Sequence, residues 1–207
     1  MDIFVIVALL AFGVHVFKSR EQKERIALLG SYLGKFQIEK LMQEVLDGYQ
    51  RALGEADADR QAQVLRYLEP QEQTLAEQFN RFVLEFAEVY EARARVSRLP
   101  LALPFVSLAV PSSTFDLRKL MSVHGRGISQ AVANAQGLSA KRKAFTVMAE
   151  LLLMQHSCHW FCRSKVVASA RMMARHKTAY PQLLESVSPK TRQAYQAVVG
   201  QSAAGVA

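Results

Sequence analysis

An all-α protein with one membrane-spanning helix is the fold this sequence predicts, on three observations. The 207 residues include only ten glycines and six prolines, and the residues that lose least on entering a helix, Ala, Leu, Gln, Glu, Arg and Lys, are abundant. Residues 3–17 form an apolar run interrupted only by His15. Beyond it, apolar residues recur at spacings of three and four, the period of a helix with one wet face. A hydrophobic content of 50% excludes a mainly disordered chain.

The first element is the anchor, residues 1–20. The run from Ile3 to Phe17 is followed at once by Lys18, Arg20, Lys23 and Arg25, and Asp2 is the only charged side chain before it. A cleaved signal peptide needs its positive charge in front, so retention is expected. As a helix the run spans about 22 Å, against a hydrocarbon core of about 30 Å, so Lys18 and Arg20 must snorkel or the bilayer must thin. The basic residues after the span hold that side in the cytoplasm, leaving the N-terminus outside and the body cytoplasmic. The alternative is a soluble protein whose first helix is buried in its core.

Residues 21–98 read as acidic amphipathic helices. One stripe runs Ile26, Leu29, Leu33, Phe36, Ile38, Leu41, Met42, Val45, Tyr49 and Leu53, continuing from the anchor. Asp59 is the expected N-cap of a short helix to Leu68. Pro70 then suits the first turn of a longer helix with the stripe Leu75, Phe79, Phe82, Phe86, Val89 and Tyr90. Residues 99–111 hold three prolines among apolar residues, which rules out a regular helix and marks a buried or membrane-contacting linker. An apolar linker argues that the units on either side pack together.

Residues 112–200 read as a basic helical unit. Ser113 and Asp116 resemble a capping box ahead of a helix over about 115–136, ended by Gly137. Ser139 then opens a longer helix over about 140–176, and the two form an antiparallel hairpin. Ser188 and Pro189 start a last helix to Gly200, and residues 201–207 read as a disordered tail.

Charge divides at the linker. Residues 1–96 carry 12 Lys and Arg against 15 Asp and Glu, whereas residues 97–207 carry 14 against 3, a net +11. Such a surface meets a membrane, an acidic partner, a nucleic acid, or the acidic helices of its own first half. Membrane-surface or anion contact is assigned to Lys18, Arg20, Arg163, Arg171 and Arg175. A nucleic-acid reading lacks a motif and exposed aromatics for stacking.

The segment His156-Ser-Cys-His-Trp-Phe-Cys162 holds both cysteines and the only tryptophan. On a helical wheel its four candidate ligands span about 160°, too wide for one ion. His159 and Cys162 share a face, and Asp116 across the hairpin, or His156, would have to complete a zinc or iron site, which needs three or four ligands. The competing reading is a packed core with reduced thiols. Two cysteines four residues apart also make a poor bridge. Gly125 and Gly127 lack the remainder of any phosphate-binding motif and are expected to permit close helix packing. The sequence thus favours a non-enzymatic, membrane-anchored interaction or scaffolding protein. Its partners would be a bilayer through residues 3–17 and a protein or a second copy. A metal- or thiol-dependent protein and a nucleic-acid binder are the alternatives.

Overall fold

A computed structural model describes residues 3–100 and 111–200 of the chain. It is all-α, with one long apolar helix near the N-terminus. The helices are α1 (Ile3–Leu33), α2 (Ile38–Gly54), α3 (Ala58–Ala87), the single turn α4 (Glu91–Ala94), α5 (Leu117–Val132), α6 (Ala140–Cys162), α7 (Lys165–His176), α8 (Tyr180–Ser186) and α9 (Pro189–Gly200). A short ribbon, β1 (Arg95–Ser97) and β2 (Thr114–Asp116), is a departure from helix that the sequence pattern concealed. Its antiparallel register pairs Arg95 with Asp116, Val96 with Phe115 and Ser97 with Thr114.

The first predicted stripe is two helices, because the chain turns at Gly34, whose N–H closes the last turn of α1 on the Gly30 carbonyl at 2.8 Å. The Gln37 N–H then donates to the Gln78 side chain of α3 at 2.7 Å, fixing the start of α2. The two helices expected on either side of Glu69 are one, and Asp57, not Asp59, caps it by accepting from the Asp59 and Arg60 N–H groups. Pro70 lies inside α3 on its exposed face. Leu68 and Glu72 on either side are buried, so tertiary packing outweighs the roughly 3 kcal/mol that an interior proline costs.

The acidic and basic segments share one core. α2 and α3 pack as a pair, α3 lies on α5, α5 on α6, and α6 carries α7 and α8, while α9 returns to α5. On α3 the rings of Phe79, Phe82 and Phe86 form a ladder with centroid spacings of 5.5 and 5.4 Å, and Tyr32 of α1 meets Phe86 edge-on at 5.4 Å. Part of the charge asymmetry is resolved internally. Lys143 of the basic segment pairs with the buried Glu72 carboxylate of α3 at 2.6 Å, and Arg118 lies 3.6 Å from Glu91.

The linker over 99–111 falls mostly outside the described residues, but its ends are clamped. The Arg98 N–H donates to the Ser113 carbonyl at 2.8 Å and the Arg98 guanidinium to that of Ser112 at 3.1 Å. Trp160 Nε1 donates to the Ser97 carbonyl at 3.0 Å, and its ring meets Phe115 edge-on at 5.0 Å, which seats the ribbon on α6. The tail over 201–207 lies outside the described residues.

The second arm of the predicted hairpin is broken. Arg163, at φ −134° and ψ −88°, leaves helical geometry, and the Ser164 hydroxyl accepts from the Val167 N–H to cap α7. The sequence marker was Ser164, a good N-cap in the middle of an otherwise helical pattern. Asp116, not Ser113, caps α5 by accepting from the Arg118 N–H, and the helix ends at Val132, short of the expected 136; Ser188 caps α9 as expected through the Thr191 N–H at 3.2 Å. Ser139 stands at the start of α6 without a side-chain cap bond.

Gly127 allows a close approach of buried polar groups. A Cβ there would lie 2.5 Å from Glu150 Oε2 and 2.5 Å from Thr191 Oγ1, both in buried residues. Gly127→Ala should therefore lower unfolding stability by about 1–3 kcal/mol. Gly30→Ala in α1, where a Cβ meets open space, should be neutral or stabilising. Denaturant unfolding followed by circular dichroism measures both.

Candidate functional site

The break after Cys162 folds α7 back on α6 and brings Arg171 and Arg175 to the side of His159. Two adjoining cavities result. The larger, about 370 Å³, runs between α1, α2 and α6 and is lined mainly by Ile26, Leu29, Leu33, Ile38, Met42 and Met154, with Glu39 and Gln43 also present. The smaller, about 290 Å³, is lined by Gln155, His159, Arg171, Met172, Ala174, Arg175 and His176. Gln155, His159 and Arg175 belong to both.

The predicted ligands separate. His159 and the half-buried Cys162 do line one groove, together with Cys158. His156 points away into the core, where Nε2 lies 3.0 Å from the Ser169 hydroxyl and the ring stacks on Tyr180 at 4.7 Å. Asp116 does not cross to His159. Its carboxylate accepts from the Arg118 N–H at 2.9 Å and from the Arg118 guanidinium at 2.7 Å. Among the described residues no three His, Cys, Asp or Glu side chains converge as ligands for an ion. The proposed zinc or iron set of His156, His159, Cys162 and Asp116 is therefore not assembled by this fold.

Thiol chemistry meets a second obstacle. Burial pushes the Cys162 thiol up to about 11, although Arg25, Arg163 and Arg171 pull the other way, and burial pushes Cys158 further up. Thiolate is the nucleophile and metal-binding form, so both sulfurs are held in their inert form at neutral pH. Cys158 instead packs with its Sγ 3.8 Å from Met154 Sδ.

The predicted basic residues have different fates. Arg163 donates to the Gln22 side chain of α1 at 2.6 Å, and Arg20 forms an exposed pair with Glu24. Arg171 and Arg175 are exposed and have no carboxylate in ion-pair range among the described residues. With His176 they lower the proton affinity of His159 further, after burial as the main cause. His159 Nδ1 and His176 Nε2 are buried without a protein partner. Among the described residues, this corner carries positive charge without an ion pair, and Glu39 is the carboxylate that lines the adjoining groove.

Sequence reading missed a second constellation, the buried polar pairs around His124. His124 Nε2 lies 2.9 Å from the Ser157 hydroxyl, which also donates to the Leu153 carbonyl at 3.0 Å. That second bond uses the hydroxyl proton, so His124 donates from Nε2 and leaves Nδ1 bare. Tyr195 of α9 covers the His124 ring at 5.8 Å, and its hydroxyl lies 3.4 Å from that of Tyr180. Nearby, Glu150 accepts from the Ser188 N–H at 3.1 Å. Gly127, whose missing side chain makes room for Glu150 and Thr191, was the available signal.

No family model, curated protein or solved structure matches this chain.

Burial pushes His124 from its ordinary 6.5 down to about 3, with His156 adding repulsion, and pushes His156 down to about 4, aided by Lys165 and His159. Their neutral forms are thus built into the fold, whereas the unfolded chain takes up both protons near pH 6.5. Stability is full above that pH and falls as pH drops toward 4. Glu150 acts in reverse, because burial raises its pKa and its contribution is lost as pH rises. With the histidines outnumbering it, unfolding free energy should fall by on the order of 3 kcal/mol from pH 7 to pH 5. Urea titrations at both pH values check this, and His124→Gln should flatten the slope.

Proposed function

We propose that this chain is a single-pass, membrane-anchored helical interaction module whose bundle is held rigidly against the cytoplasmic face of a bilayer. The observation that carries the reading is the division of α1. Eleven large apolar side chains between Ile3 and Phe17 are exposed, yet the same helix is built into the bundle from Gln22 onward. A core helix of a soluble protein would bury that stripe, and this one leaves it to another apolar medium.

The fixed distance along α1 supports a specific depth. Gln22, bonded to Arg163, lies about 7.5 Å along the axis beyond Phe17. The apolar run falls short of the hydrocarbon core by a similar amount. The first turn of α7 then lies in the headgroup layer. Leu99, Val166 and Val167 are exposed at this end, and Lys165 spreads over the Trp160 and Tyr180 rings at 5.1 and 4.6 Å. The Val166 N–H donates to the Pro100 carbonyl, so the apolar linker also departs from here. Aromatic rings and basic side chains at this level suit a lipid interface. The outer face of α3, with Glu69 and Glu77 exposed, and the exposed Glu88 just beyond its end form the surface proposed for a protein partner or a second copy.

Carbonate-washed membranes test the anchor. The chain should stay in the pellet, and Leu10→Arg, which places a charge costing about 3 kcal/mol at mid-span, should release it. In sealed vesicles with the cytoplasmic face inward, the body should resist added protease. Release of the unaltered chain by carbonate would remove the reading.

A further inference from the structure

We infer that the paired cavities beside His159 bind one single-chain anionic amphiphile, with its acid group between Arg171 and Arg175 and its chain along the α1–α2–α6 groove. Three observations carry this. The larger cavity is walled by aliphatic and thioether side chains of Ile26, Leu29, Leu33, Met42 and Met154. It opens through His159 and Arg175 into a smaller one whose charged lining is all basic. Their volumes, about 370 and 290 Å³, are those of small-molecule sites.

The charge pattern selects the sign of the ligand. Neither arginine has a carboxylate in ion-pair range among the described residues, and Glu39, the one carboxylate lining the larger cavity, does not line the smaller one. Two guanidinium groups one helical turn apart present donors to a carboxylate or phosphate. His159 Nδ1, buried without a protein partner where the two cavities meet, offers one further polar contact. A neutral lipid would leave the arginines unanswered, and a small inorganic anion would leave the apolar walls open to water. A fatty carboxylate and a lysophosphatidate share the required chemistry. The inference rests on the anchoring reading only for the bilayer as source of the ligand, and binding is measured without a membrane.

Gly30 gives a test that spares the fold. It lines the groove, and a side chain there meets open space, so Gly30→Leu fills the cavity from an exposed helix position that favours leucine. Full-length protein released from non-ionic detergent micelles would be titrated with oleate and observed by native mass spectrometry. One saturable adduct per chain is expected, matched or exceeded by lysophosphatidate, with at least tenfold less for oleyl alcohol and for inorganic phosphate. Gly30→Leu and the Arg171→Ala, Arg175→Ala double variant should each reduce occupancy at least fivefold while keeping the circular dichroism melt of the parent. Absence of an adduct, non-saturating multiple adducts, or equal occupancy by oleyl alcohol would overturn the assignment. So would oleate occupancy unchanged in both variants. Carbonate release of the chain would remove the anchor and leave this result standing.

Discussion

Everything in this structure depends on how α1 is seated. A helix of 31 residues with an exposed apolar first half needs a firm hold at its second half, or the bundle would hang from it as from a hinge. The hold is distributed. Arg25 donates to the Phe161 carbonyl at 3.2 Å, lies over the Phe161 ring, and is steadied by Glu21 at 2.6 Å. Arg163 reaches Gln22, Leu29 is buried, and Tyr32 closes on Phe86. The contacts involve α3, the end of α6 and the break after it, so freeing α1 would require several of them to open together.

The break after Cys162 is part of the same device. Had α6 continued to His176 it would have run on alongside the apolar first half of α1. By stopping, it exposes the Phe161 carbonyl to Arg25, sends Arg163 to Gln22, and folds α7 back so that its arginines meet His159. The pairs His124 with Ser157, His156 with Ser169 and Glu150 with Ser188 then fix α7 and α9 against α5 and α6. An unpartnered buried polar group is costly, so these pairs specify one arrangement of the outer helices.

The helical class, the long apolar N-terminal helix, the cap Ser188 and the buried faces of α2 and α3 were legible because they rest on local chemistry: periodicity, cap residues and composition. The failures share a different cause. The turn at Gly34 and the continuity through Pro70 are decided by what the helices pack against, which no window of sequence contains. The wheel set His159 and Cys162 on one face, as the shared groove has them, but it could not show that Asp116 is held by Arg118 two residues away. Nor could it show His124 meeting Ser157, since that contact joins two helices across 33 positions. The short ribbon escaped notice because three residues carry too little pattern to register.

Hydrogen exchange on the full-length chain in micelles measures the central claim, that α1 beyond the apolar run and the bundle are one rigid body. Amides from Glu24 to Leu33 lie past the segment that detergent covers, so their protection reports on docking alone. If α1 is seated as described, they exchange as slowly as those of α6 and speed up together in Arg25→Ala. Exchange at the rate of an isolated helix, with α6 still protected, would show the anchor to be a flexible tether and contradict the account.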